Sequence, residues 1–292
     1  MSFKTKIVAL KHVAIGYYRK WLIDLSIHKP RKLPDRQKSQ KYIVSLTSYG
    51  RRINKVLYYT LVSLLRQTYP PDKIVVWLDK ETNSDKSLPE NLKKLREFGV
   101  CFLFCDDLRS YKKLIPSLLK YPNDVIITVD DDMIYYNDII GKLIHEHENH
   151  PNSIICSQCR YPKSKGQKLL PYNSWVAGPN TDKYADMIMP LGVSGVLYPP
   201  KSLHEDVTQY ELFQKMCPLA DDIWFWIMAK LNGTRHRVIG QTKPFGDSFD
   251  DLYQYFHKGA ALTHANRLAN QNDKQLSNLI DYFKLPVASL KN

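Results

Sequence analysis

Three consecutive aspartates, Asp130-Asp131-Asp132, follow the apolar run from Val125 to Val129. A carboxylate is costly to bury without a partner, so three of them after a buried strand need a cation or a dense set of donors. Hard divalent metals such as Mg²⁺ and Mn²⁺ take oxygen ligands, often one or two carboxylates plus substrate phosphates. Alternate residues of a strand share a face, which lets Asp130 and Asp132 point into one site while Asp131 faces away. The alternative is a turn in which the aspartates cap the helix expected from Ile139. A second acidic pair, Asp221-Asp222, opens the aromatic stretch Asp221 to Leu231. Capping of that helix is the structural alternative to a chemical role, because aspartate is favoured at helix starts. Asp79 closes another apolar run, Ile74 to Leu78.

The composition narrows the chemistry. The chain has 292 residues, 43% of them hydrophobic and 12% aromatic, enough for a sizeable α/β core. Lys and Arg number 42 against 29 Asp and Glu, a formal net charge of +13. Such an excess suits nucleic acid, an anionic membrane surface or a phosphorylated substrate. No zinc finger, RNA-recognition signature or basic zipper is present, which argues against nucleic acid. Tyrosine, at 19 residues, suits clefts that hold sugars and bases. The five cysteines are an odd number with no secretory signal before them, so a reduced, cytoplasmic compartment is expected. Cys156 and Cys159 have CxxC spacing but no second ligand pair beside them, and read as buried strand cysteines. No apolar run approaches the ~20 residues of a membrane span.

Those residues need a scaffold. Strands are expected over 42–47, 74–78, 100–104, 125–129, 154–159 and 191–198. Helices are expected over 53–66, 88–98, 114–119, 139–147 and 221–231. This alternation predicts a mostly parallel sheet flanked by helices. Ligands then bind beyond the carboxyl ends of the strands, where Thr47, Asp79 and Asp130 fall. Residues 1–40 form a basic N-terminal extension, either a helix lying on a membrane surface or one packed on the domain, followed by a Pro-containing linker. The main domain spans 41–245, and 246–292 is a tail expected on or near the active site.

In this order the segments resemble the glycosyltransferases of the GT-A (Rossmann-like) fold, of the family 2-like, bacterial surface-polysaccharide type. The aspartate run is similar to their DxD motif, Tyr42–Tyr49 to their first strand, and Ile74–Asp79 to their second. The segment Pro190–Pro200 is similar to their glycine-bearing segment, and Pro218–Trp226 to their acidic motif. The resemblance implies a nucleotide-sugar donor and Mn²⁺ or Mg²⁺ held by Asp130 and Asp132, with Asp131 assisting at the diphosphate. It implies nucleoside contacts at Thr47, Ser48 and Asp79, with Arg51 or Arg52 reaching base or phosphates and Lys113 approaching the diphosphate. Asp79 is followed by Lys80-Glu81 instead of the family's Gly-Ser. Gly192, Ser194 and Gly195 would lie near sugar and acceptor, with Trp175 as a sugar platform. Asp222 is the expected base of an inverting reaction, with Asp221 orienting it or the acceptor; a retaining reaction is the alternative. A C-terminal histidine, His264 in preference to His257, is the expected further metal ligand. The acceptor would be a saccharide or lipid-linked saccharide at the inner face of the membrane. The competing readings are a sugar nucleotidyltransferase, for which Ser48–Arg52 is a poor glycine-rich loop, and a basic binding module without catalysis.

Overall fold

The computed structural model describes residues 3–26, 28–36, 40–178, 187–240, 245–249 and 270–292. Its strands are β1 (Tyr42–Thr47), β2 (Lys73–Asp79), β3 (Val100–Cys105), β4 (Val125–Thr128), β5 (Met133–Tyr135), β6 (Ile154–Cys156) and β7 (Cys159–Tyr161). Then come β8 (Ser164–Lys165), β9 (Lys168–Leu169), β10 (Val176–Gly178), β11 (Met189–Pro190), β12 (Val196–Tyr198), β13 (His236–Val238) and β14 (Gly246–Ser248). The helices are α1 (Phe3–Asp24), α2 (Arg51–Lys55), α3 (Leu57–Leu64), α4 (Glu90–Lys94), α5 (Ile115–Lys120), α6 (Ile139–Asn149), α7 (Tyr210–Met216), α8 (Asp221–Leu231) and α9 (Gln271–Phe283).

The central sheet has seven strands in the order β13-β6-β12-β4-β1-β2-β3. β1 to β4 are mutually parallel, and β12 runs antiparallel between β4 and β6. The fold is therefore the mixed α/β, mostly parallel sheet of the GT-A type. Side chains alternate across it. Val44, Leu46, Ile74, Val76, Val125 and Ile127 pack with α3 and α6 on one side. Ile43, Val75, Trp77 and Ile126 pack with α5 and α8 on the other. This is the period-2 pattern of strands covered on both faces. A polar pin crosses the second layer. Ser117 on α5 accepts from Trp77 Nε1 at 2.7 Å and shares a 2.8 Å hydrogen bond with Ser45.

Four expected elements break where the backbone requires it. The 53–66 helix is split into α2 and α3 at Val56, whose φ and ψ are −126° and −51°. The 88–98 helix tightens into a 3₁₀ turn, Leu95–Phe98, and stops at Gly99 with φ 101°. The 154–159 strand divides, so that Cys156 stays in the main sheet and Cys159 joins the sheet β10-β7-β11. The 191–198 strand begins as a 3₁₀ turn, Gly192–Ser194, and becomes β12 only after Gly195 at φ 110°. All five cysteines are free thiols.

The ends of the chain pack on this frame. On α1, Val13, Gly16 and Ile23 are buried, and Arg19 donates to the carbonyls of Ile134 and Tyr135, both at 2.7 Å. Arg19 also pairs with the fully buried Asp247 of β14 at 3.0 Å. On α9, Leu276 and Leu279 join the α8 layer, and Gln275 accepts from the Leu219 N–H at 2.8 Å. Among the described residues no helix is long and apolar enough to cross a membrane. Gly16 has no room for a side chain, since a Cβ there would lie 2.4 Å from the Ser248 carbonyl oxygen. Gly16→Ala is expected to lower stability by about 1–3 kcal/mol through overpacking, read as a fall in Tm. An unchanged Tm would show that α1 is not seated on β14.

Candidate active site

The carboxyl ends of β1, β2 and β4 open on one side of the sheet, and the acids gather there. β4 ends at Thr128, so the aspartate run lies on irregular chain beyond it. Tyr135 fixes that chain: its buried hydroxyl accepts from the Asp130 N–H at 2.9 Å and lies within 3.2 Å of the Val193 carbonyl, which it can donate to. Asp131 turns inward. It accepts from the Ser48 hydroxyl and from Arg52 Nη1, the latter at 2.7 Å, while its carbonyl accepts from Thr60 at 2.8 Å. Burial pushes the Asp131 carboxyl above its usual range, against the pull of Arg52 and Ser48. Asp132 pairs with the same guanidinium through Nη2 at 2.8 Å. Arg52 is buried enough to be penalised as a charge, yet the two aspartates hold it firmly protonated.

The second cation is Lys113. The 3₁₀ turn Arg109–Lys113 is anchored by the buried Tyr111, which donates to the Cys217 carbonyl and stacks on Phe213 with centroids 4.2 Å apart. That anchor ties the turn to the loop leading into α8. The Lys113 ammonium consequently sits 3.0 Å from Asp221, 3.4 Å from Asp130 and 3.9 Å from Asp222. Burial works against its charge, but the three carboxylates raise its pKa well above that of a free lysine. Asp221 also accepts from Ser110 at 2.9 Å. Asp222 accepts from the Gly192 N–H at 3.2 Å. Burial pushes its carboxyl up to about 7; Asp221 and Asp130 add to the rise and Lys113 opposes it. A Cβ on Gly192 would lie 2.5 Å from the Lys113 ammonium and 2.9 Å from Asp222, so only glycine lets the two converge there.

The structure thus gathers Asp130, Asp131, Asp132, Lys113, Asp221, Asp222 and Gly192 from distant segments. The other expected residues have partners outside this cluster or lie elsewhere. Thr47 donates to the Trp77 carbonyl at 2.8 Å, within the sheet. Asp79 stands at the end of β2, where it caps its own turn by accepting from the Glu81 N–H at 2.9 Å and the Thr82 hydroxyl at 2.7 Å. Arg51 is exposed on the first turn of α2, and its neighbour Arg52 is the arginine that reaches the acids. Ser194 is buried, and neither it nor Gly192 belongs to a strand. Trp175 is not an open platform. It is 3% exposed, packs against Tyr172 and Trp226, and donates its indole N–H to the Leu170 carbonyl at 2.8 Å. A buried indole needs such a partner, and the carbonyl holds the ring in the core. His257 and His264 lie outside the described residues.

Among the described residues no group of three metal-type side chains is close enough to hold an ion by itself. A metal shared with a diphosphate needs only one or two carboxylates. Asp130 and Asp132 fit that role, with side chains 32% and 17% exposed, whereas Asp131 is closed off at 4%.

Arg52, Thr60, Ser110 and Tyr135 complete the site together with Ser48, which was expected at the nucleoside and donates to Asp131. The sequence pointed to Ser48 and to the Arg51-Arg52 pair but gave no signal for Thr60, Ser110 or Tyr135, which are ordinary residues inside helices, turns and strands.

Removing Lys113 leaves three carboxylates facing one another. Asp222, at about 7 in the folded chain, lies above the ~3.9 of an unfolded aspartate, so its ionisation opposes folding. That stability is full below about pH 4 and is lost as pH rises through 7. Lys113→Met removes the charge that opposes this rise and so enlarges the penalty. The variant is expected to be destabilised by ~3 kcal/mol at pH 8 and by less at pH 5, read from thermal melts. A loss independent of pH would show that the ammonium does not compensate these acids.

Over residues 44–191, just over half of its length, the chain matches the family described as Glycosyl transferase family 2. No curated protein matches the chain. Among solved structures it is similar to S. aureus TarS 1–349 in complex with UDP, at 15% identity and TM-score 0.45 over 84% of this chain and 72% of that one. It is also similar to the mannosyltransferase PcManGT from Pyrobaculum calidifontis in complex with GDP-Man and Mn²⁺, at 13% identity and TM-score 0.43 over 95% and 85%. A 4-diphosphocytidyl-2C-methyl-D-erythritol synthase is similar at 12% identity and TM-score 0.45 over 73% and 92%. The sheet order, the acids at its carboxyl edge and the family match lead to one conclusion: this chain belongs to glycosyl transferase family 2 and is a glycosyltransferase.

Proposed function

We propose that the chain transfers a sugar from a UDP-sugar to a saccharide or lipid-linked acceptor, with inversion, in the synthesis of a surface polysaccharide such as capsule or lipopolysaccharide, working in the cytoplasm at the inner face of the membrane. The observation that carries this reading is the convergence of Asp130, Asp221 and Asp222 on one lysine, with the Asp222 carboxyl near 7. A base that titrates near the working pH combines a useful ionised fraction with real proton affinity.

Each residue has a part in that reaction. Asp130 and Asp132 would hold Mn²⁺ or Mg²⁺, which when bound neutralises charge on the leaving diphosphate. Asp131, locked by Ser48 and Arg52, sets the direction of the run. Thr47 and Asp79 mark the nucleoside end, with Arg51 at its rim. Lys113 brings positive charge towards the diphosphate and opposes the rise of the Asp222 pKa. Asp221, held by Ser110 and Lys113, orients its neighbour. Asp222 takes the proton from the acceptor hydroxyl as that oxygen bonds to the anomeric carbon. The bond from that carbon to the diphosphate oxygen breaks, and the nucleoside diphosphate leaves with the electron pair. The Gly192–Gly195 turn would lie beside sugar and acceptor, next to the base.

Calorimetric titration with UDP tests the donor half. Mn²⁺ is expected to tighten UDP binding by at least about tenfold, and Asp132→Ala to abolish that gain. If UDP, GDP and CDP all fail to bind in the presence of metal, the reading is wrong.

A further inference from the structure

α1 has two unlike faces. Val13, Gly16, Arg19 and Ile23 face the domain. Tyr17, Tyr18, Trp21 and Leu25 are all exposed, with Trp21 at 53%. Positions 17, 21 and 25 are successive i, i+4 neighbours, so these side chains form one continuous stripe on the outer surface. Large apolar side chains grouped on a surface in this way mark an interaction site, whereas scattered ones do not.

The segment after α1 indicates the partner. His28, Lys29, Arg31 and Lys32 come directly after the helix, and Arg66 donates to the Lys29 carbonyl at 3.0 Å. Among the described residues Lys29, Arg31, Lys32 and Arg66 form no ion pair with a carboxylate. Like charges are felt instead. Besides burial, Arg31 and Arg19 lower the pKa of Arg66, and Arg66 and Arg19 lower that of His28. The chain therefore concentrates uncompensated positive charge at the end of an aromatic and aliphatic stripe. Tyrosine and tryptophan favour the polar–apolar boundary of a bilayer, and cations beside them favour anionic headgroups. Nucleic acid would use the charge but leave Leu25 and the ring faces in water.

We propose that the stripe Tyr17-Tyr18-Trp21-Leu25, with the cations Lys29, Arg31, Lys32 and Arg66, is the surface by which this enzyme docks on a bilayer containing anionic phospholipid. The helix lies in the interface plane and does not cross it. Arg19, on the inward face of α1, bonds the two carbonyls that come after Asp132 and Met133, so the docked helix is tied directly to the chain that leaves the acidic run. The proposal rests on the glycosyltransferase reading only for its purpose, the meeting with a lipid-linked acceptor.

The tryptophans provide a direct test. Of the five, Trp77, Trp175, Trp224 and Trp226 are buried, so quenching by lipid reports on Trp21. The full chain, without donor or metal, is mixed with phosphatidylcholine vesicles with or without phosphatidylglycerol, carrying brominated acyl chains. Quenching and co-sedimentation are expected with the anionic vesicles only and should weaken as salt rises. The pair Lys29→Glu, Arg31→Glu is expected to reduce partitioning by more than about 25-fold, taking roughly fivefold per charge lost. Tyr17→Ser with Leu25→Ser, both at exposed sites, should abolish quenching and leave the circular dichroism spectrum unchanged. Absence of quenching on anionic vesicles overturns the proposal. So does binding to RNA, or self-association that covers Trp21, in place of vesicle binding. UDP binding is measured separately, so failure of the docking surface and failure of the donor site give different results.

Discussion

Five carboxylates meet at one edge of the sheet, and their mutual repulsion sets the terms for everything around them. Two cations divide the load. Arg52 spans Asp131 and Asp132, and Lys113 faces Asp130, Asp221 and Asp222. Neither division is symmetric. Asp131 is sealed and serves as an internal strut. Asp222 retains the pKa raised by burial, because Lys113 at 3.9 Å compensates it only in part. A shorter contact would stabilise the fold more and hold the carboxyl nearer the ordinary range of an aspartate, where it would be a poor base.

The scaffold can be understood as the means of placing those two cations. Arg52 reaches the acids because α2 begins immediately after the turn at Gly50, whose φ is 51°. Lys113 reaches them because Tyr111 ties its turn to the α7–α8 connection, and because residue 192 has no side chain to block it. Tyr135 draws the aspartate run and the Gly192–Gly195 turn together through one hydroxyl. The aspartate run and the Gly192–Gly195 turn are thus linked through single residues, and a change at any of them should be felt on both.

The parallel strands were legible in the sequence because each is a short, nearly continuous apolar run ended by a polar residue. That pattern alone put Thr47, Asp79 and Asp130 on one edge. Element breaks were less legible. Val56 interrupts a segment of regular helical spacing through its backbone angles, and Gly195 ends a 3₁₀ turn inside what reads as a strand. The contact of Arg52 with Asp131 joins residues 79 apart and leaves no local signature. Trp175 misled for a different reason: it sits in a polar stretch of sequence, yet that stretch folds over α8 and the ring completes its core. The exposed face of α1 was visible as composition, but its orientation depends on Gly16 and Arg19 meeting β14 and β5.

The central claim is that Asp222 is the base of the transfer step. The pH dependence of kcat with a UDP-sugar donor tests it most directly, in the wild type and in Asp222→Asn. The wild-type rate should fall on the acid side with a midpoint near 7, and the variant should lose about 100- to 10,000-fold in kcat while binding UDP with unchanged affinity. A variant that keeps the wild-type kcat, or a wild-type profile flat through pH 7, would contradict the assignment.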